Sequence, residues 1–310
     1  MAVAPITPAT TGTPTTSATS TKTDTPATTT NTPTTTSTKT QQVVFLGDGF
    51  TAGSSGTSWA SLVSDKLGWQ ATQGPEFEAL LPLAQFTADE RARAAALAGA
   101  PVPRLLHQVW IGSLPRPPAL AAWRDWCAAR GREYLLWDEA ALAGIGAPDH
   151  PAYRAMLAAG DYPGAVDVAR YLILQARGGI YLDADFHPNP GGGDFGDYLP
   201  AHGLSALAED VPRVTGRGPV LLTNALIAAP AGHPVMAALL RIMPEAVRSL
   251  PRAPAWWVTG PLVFTLLARL CPLGMAAHDI VAGRLPRRAP PEALAQFRGQ
   301  PGLLIDWKSW

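Results

Sequence analysis

Between Val166 and Ala176 apolar residues return every three or four positions, at Val166, Val168, Ala169, Leu172, Ile173 and Ala176. That spacing predicts a helix. Asp167, Arg170 and Leu174 fall on another face of it, since residues three and four apart are helix neighbours. Gly178 and Gly179 stop the helix and supply the positive φ of a tight turn. Ile180-Tyr181-Leu182 is rich in β-formers and predicts a short buried strand. Asp183-Ala184-Asp185 is expected to continue it, with both carboxylates on one side of an extended chain. Pro188 and Pro190 are then expected to end regular structure.

Similar patterns predict helices over residues 118–130, 151–159, 234–248 and 260–270, alternating with short apolar strands. Such alternation implies an α/β sheet covered by helices. Residues 115–118 and 286–291 are proline-rich loops. Residues 75–100 predict a helical linker, or a leader helix that packs on the α/β region; Pro101 and Pro103 end it.

Two carboxylates one residue apart at a strand end can hold a hard divalent cation through oxygen. Most such pairs are solvated turns, so the context carries the reading: a helix with Asp and Arg, a Gly-Gly turn and a buried strand come before this pair. Arg170-Tyr171, Gly178-Gly179-Ile180-Tyr181-Leu182-Asp183 and Asp185 resemble the Asp-x-Asp sugar-binding region of family 32 glycosyltransferases. That group includes the yeast initiating α-1,6-mannosyltransferase and bacterial capsule and lipopolysaccharide transferases; clostridial toxin glucosyltransferases are more distant. Upstream, the run from Pro103 through His107 and Trp110 to Gly112 resembles the family's opening strand, and Glu133 to Asp138 its second strand. Downstream, the run from Thr223 and Asn224 to Pro230, then Gly232-His233-Pro234, Thr259-Gly260-Pro261 and Ser309-Trp310 resemble its later blocks. The likeness covers about residues 101–310, in order.

What the resemblance implies is a GT-A-type mixed α/β domain over 101–310, with a nucleotide crevice at the strand C-termini. The implied enzyme is a metal-dependent retaining hexosyltransferase. It uses a UDP- or GDP-sugar with Mn²⁺ or Mg²⁺, and its acceptor is a glycan or a lipid-linked hydroxyl. Asp167, Arg170 and Asp183 are the implied catalytic residues. The implied donor-binding set is His107, Trp110, Asp167, Arg170, Tyr171, Asp183, Asn224, Ser309 and Trp310. Asp183, Asp185 and Asp306 are the implied metal ligands. Two alternatives stay open: Arg170 can form a structural ion pair with Asp183 or Asp185, and Trp110 can be core packing rather than a base platform. His187, His202, His233 and His278 are candidate ligands or bases, His187 the most interesting of them. The competing class is a non-catalytic fused or truncated remnant, which would leave Ser309-Trp310 loose where a working enzyme orders them near Asp185.

Composition changes the picture before residue 91. Nineteen of the first forty residues are Thr, with little to bury, so residues 1–42 are expected to be disordered. Residues 43–74 resemble a truncated first block of the SGNH hydrolases. Gly49 stands where the nucleophilic serine belongs and no later Asp-x-x-His fits, so no hydrolase activity is expected. Residues 1–90 hold three Lys and no Arg, while 91–310 hold one Lys and all twenty Arg, which suggests two origins joined between about residues 70 and 91. Zero net charge gives no reason to expect a nucleic-acid partner. Two cysteines form no disulfide framework. Neither a membrane-spanning run nor a secretory signal is visible. The expected place is the cytoplasm, including the inner membrane surface.

Overall fold

The computed structural model describes residues 42–43, 70–71, 79–209 and 221–310. The Thr-rich segment and nearly all of the SGNH-like block lie outside these. What is described of the block is two short strands, β1 (Gln42–Val43) and β2 (Gln70–Ala71), paired in parallel with each other.

A six-stranded mixed sheet forms the centre, as the α/β pattern predicts. Its strands are β3 (Leu105–Val109), β4 (Glu133–Trp137), β5 (Gly179–Leu182), β7 (Leu204–Ala208), β8 (Leu222–Ala229) and β9 (Leu273–Met275), in the order β4-β3-β5-β8-β7-β9. The first three are parallel, while β8 runs antiparallel to both β5 and β7. A second sheet joins β10 (Val281–Arg284), β11 (Leu304–Asp306) and β6 (Phe186–Pro188). Pro188 therefore lies in a strand, contrary to expectation. The strand is at the sheet's edge, where a missing N–H costs no ladder bond.

The helices are α1 (Ala88–Leu97), α2 (Pro118–Ala129), α3 (Glu139–Ala143), α4 (Pro151–Ala158), α5 (Tyr162–Arg177), α6 (Pro234–Ser249), α7 (Ala255–Val258) and α8 (Pro261–Ala268). The predicted helix over 166–176 begins a turn earlier, at Tyr162. The Asp161 carboxylate accepts from the Gly164 amide at 2.9 Å, and Pro163 occupies the first turn, where its missing N–H does no harm. Gly178 closes α5 at φ 61° and Gly179 follows at φ 100°. Both need glycine, and Gly179 also lets β5 approach β3, because a Cβ there would stand 2.9 Å from the Leu105 backbone oxygen.

Residues 79–98 run through turns into α1 and are built into the body. Leu80, Ala84, Phe86 and Ala94 are buried in the main core. Thr87 and Glu90 form a capping box that starts α1, and Glu90 pairs with Arg241 of α6. A second core on the opposite side of the sheet gathers Trp123, Trp126, Phe195 and Leu304. There the Trp123 indole donates to the Phe186 carbonyl at 2.8 Å and holds β6 against α2.

Candidate active site

The Asp-x-Asp run lies where β5 leaves the large sheet and β6 enters the small one. It is a turn, not extended strand: the Phe186 amide donates back to the Asp183 carbonyl at 3.3 Å. The turn is held from two sides. The Asp183 amide donates to Ala225 of β8 at 2.8 Å, and the Trp307 amide donates to the Asp185 carbonyl at 2.7 Å. Trp307 directly follows β11, so both sheets fix the position of the acidic pair.

A cavity of about 390 Å³ opens at the C-terminal ends of β3 and β5. Trp110, Arg170, Tyr181, Asp183, Asp185, Lys308 and Trp310 line it, with Leu114 and Tyr162, both exposed, at its side. This is where ligands enter open α/β sheets. The rings of Trp110 and Trp310 meet edge to face at 4.9 Å. Trp110 thus lines the cavity, and only part of its surface is packed.

Arg170 is the hub. It is 3% exposed, and its Nη2 lies 3.0 Å from Asp167 Oδ1 and 3.1 Å from Asp183 Oδ1. Its Nη1 donates to the Asn224 carbonyl at 2.6 Å, and its guanidinium covers the Tyr181 ring at 4.5 Å. The structural ion pair kept open from sequence therefore exists, with Asp183. Two flanking carboxylates hold the Arg170 pKa above its ordinary value. Tyr181 completes the arrangement: its hydroxyl donates to Asp183 Oδ1 at 2.7 Å.

Asp167 is 7% exposed and does not line the cavity. Its carboxylate accepts from Asn224 Nδ2 at 2.8 Å and from Thr259 Oγ1 at 3.0 Å. Burial pushes its pKa up to about 6 against the pull of Arg170. Tyr171 is fully buried, donating to the Thr259 carbonyl at 3.1 Å and accepting from Asn224 Nδ2. Asp167, Tyr171 and Asn224 thus stand behind Arg170 as its support. Polar groups of such a buried network need partners, and each of these three side chains has at least one.

His107 is also away from the cavity. Its Nδ1 accepts from the Trp137 indole at 3.2 Å, so Nε2–H donates to the Gly178 carbonyl at 2.8 Å. Burial drops its pKa to about 4. It ties β3, β4 and the end of α5 together. His187 faces the small sheet's own core, with its ring 6.3 Å from Trp307. His233 caps α6. Ser309 is half-buried beside Trp310.

The three implied metal ligands do not form a closed cage; among the described residues no group of three His, Cys, Asp or Glu side chains is placed to hold an ion. Asp183 Oδ1 is taken by Arg170 and Tyr181, and Asp306 is paired with Arg284. Asp185 is different. Its Oδ1 is buried with no hydrogen-bond partner among the described residues. Burial first, then the charges of Asp183 and Asp306, push its pKa up to about 7. An orphan buried carboxylate oxygen between two other carboxylates fits a divalent cation held by one or two protein groups plus substrate phosphates.

Sequence reasoning missed Tyr181, Thr259 and Lys308 as site residues. Tyr181 was within reach, because two residues along a strand share a face and its hydroxyl therefore meets Asp183. Thr259 shows in the sequence only as part of the Thr259-Gly260-Pro261 block; its contact with Asp167, 92 residues earlier, has no local mark.

Residues 149–191 match the family described as glycosyltransferase sugar-binding region containing DXD motif. A curated relative, inositol phosphoceramide mannosyltransferase 3 of Schizosaccharomyces pombe, is 25% identical over 54% of this chain and 45% of its own length. The chain thus spans about half of that protein. Among solved structures, the PaToxG glycosyltransferase has 17% identity and a TM-score of 0.43, covering 63% of this chain and 78% of that one. The UDP-bound glycosyltransferase domain of the YGT toxin has 11% identity and a TM-score of 0.35, covering 55% and 77%.

Proposed function

We propose that this chain, whose residues 149–191 match the glycosyltransferase sugar-binding region containing DXD motif, is a metal-dependent retaining glycosyltransferase. In this reading 101–310 is one GT-A-type domain, and a hexose passes from a UDP- or GDP-sugar to a hydroxyl of a glycan or lipid-linked acceptor. The observation that carries the proposal is the unpartnered Asp185 oxygen, buried at the strand end and shared with the aromatic-lined cavity.

Each residue of the site has its own role in this reading. Trp110 offers its ring to the nucleotide base. Asp183, fixed by Arg170 and Tyr181, accepts hydrogen bonds from ribose or sugar hydroxyls. Arg170, held by Asp167 and Asn224, carries a fixed positive charge beneath the sugar. Asp185 holds Mn²⁺ or Mg²⁺, which when bound offsets the charge growing on the diphosphate. The bond from the anomeric carbon to the phosphate oxygen breaks with its electron pair on the phosphate. The acceptor oxygen attacks on the same face, and its proton passes to the departing phosphate.

The remnant reading expects Ser309-Trp310 to be loose. The bond from Trp307 to Asp185 and the packing of Trp310 on Trp110 favour the enzyme instead. Calorimetric titration of UDP and GDP, each with and without Mn²⁺, tests the proposal. Binding of one nucleotide that depends on Mn²⁺ is expected; binding of neither would overturn it.

A further inference from the structure

Among the described residues the cavity has two cations on its wall, Arg170 and Lys308. Arg170 is committed. It bridges two carboxylates and a carbonyl, and turning it toward a phosphate would strand buried charges. Lys308 is held less closely, its charge acting on Asp185 from the same wall. Its side chain is exposed, and its Nζ lies 5.6 Å from the centre of the Trp310 ring. Among the described residues no carboxylate forms an ion pair with it.

Its backbone, in contrast, is held. Trp307, the residue before it, donates to the Asp185 carbonyl. Trp310, two residues after it, packs on Trp110 and has its main-chain oxygen bonded by Arg287. A flexible ammonium on an anchored segment, beside Asp185, can reach whatever anion sits against the acidic turn. Lys308 is also the only lysine after Lys66, in a stretch that otherwise uses arginine twenty times. An ammonium is a point charge with three rotatable donors, whereas arginine fixes a planar fork. The former suits a phosphate whose charge grows and whose oxygens shift as a bond breaks.

We propose that Lys308 binds the donor's diphosphate from the C-terminal side of the cavity and carries part of the leaving group's charge. This rests on the transferase reading and adds to it a residue that touches the leaving group. The competing role is that of a counter-ion to Asp185.

The test compares the parent, Lys308→Met and Lys308→Arg in calorimetric titrations with Mn²⁺, using UDP against UMP and GDP against GMP. For the base the parent accepts, Lys308→Met is expected to weaken diphosphate binding about tenfold or more, the size of one lost charge-assisted hydrogen bond. Monophosphate binding should hold within about twofold, and Lys308→Arg should restore most of the loss. Equal diphosphate binding by Lys308→Met and parent would overturn the proposal. So would equal losses of mono- and diphosphate, or tighter Mn²⁺ binding with diphosphate unchanged, the mark of a counter-ion. Matching thermal midpoints exclude misfolding, which an exposed side chain gives no reason to expect. A parent that binds no nucleotide would remove the transferase reading itself; a defect confined to the variants' diphosphate preference bears on Lys308 alone.

Discussion

At the residue scale, Asp185 and His107 are both buried against their chemical preference, and they respond to different agents. Removing the Asp185 carboxylate removes an unpaired buried charge, which costs stability wherever it is ionised. Asp185→Ala is therefore expected to abolish Mn²⁺-dependent nucleotide binding while leaving the thermal midpoint unchanged or higher. Scanning calorimetry beside nucleotide titration checks both halves; a variant that binds and hydrolyses donor like the parent would remove Asp185 from the site. His107 and His233 each have pKa values lowered by burial from 6.5 to about 4. Between those values the unfolded chain binds more protons than the folded one, so stability falls as pH falls. The slope is about 1.4 kcal/mol per pH unit for each histidine within that window. Urea midpoints measured from pH 7 to pH 4 should show this loss. His107→Gln should start less stable, without the Trp137 and Gly178 bonds in their present form, and should fall less steeply.

The element that sets the site is α5 with its glycine stop. Gly178 sits at φ 61°, and a Cβ there would meet the Ala231 amide nitrogen at 2.4 Å and the Ala229 oxygen at 2.9 Å. Gly178→Ala therefore combines a strained φ with a backbone clash, and a loss of about 3 kcal/mol or more is expected, read from the denaturant midpoint. This turn, the helix before it and the strand after it were legible in the sequence, because helical spacing, Gly-Gly and β-branched runs are local signals. The shape of the Asp-x-Asp run was not. Its turn is imposed by Ala225 and Trp307, partners that lie far along the chain. The same holds for Asp167, which reads from sequence as a sugar ligand on a helix face. Asn224 and Thr259, from β8 and the C-cap of α7, enclose it instead. The alternation that predicts an α/β fold is likewise local, whereas the second sheet, joining residue 186 to residue 306, has no local mark.

At the scale of the whole molecule, the N-terminal part divides sharply. Among the described residues β1 and β2 pair only with each other, so deletion of residues 1–78 is expected to leave nucleotide binding unchanged. Deletion through residue 98 is a different operation. It strips Leu80, Ala84, Phe86 and Ala94 from the core, which exposes apolar surface worth on the order of 5 kcal/mol. Comparing the thermal midpoints of the two truncations checks this; equal midpoints would mean that α1 only rests on the surface. Composition alone places the junction between residues 70 and 91, and the capping box at Thr87 with the buried Leu80 explains why the integrated part reaches back beyond the first arginine.

The joining of Asp185 to Trp307 also has a consequence in time. A ribosome makes the acidic turn long before the strand that covers it, and at about 5–20 residues per second the interval is on the order of ten seconds. Through that interval the turn has no Trp307 amide on its carbonyl, no Trp310 against Trp110 and no lysine beside it. A growing chain can thus form its large sheet early and still lack the finished site. If the chain is the transferase proposed above, activity waits for β11 to emerge and dock.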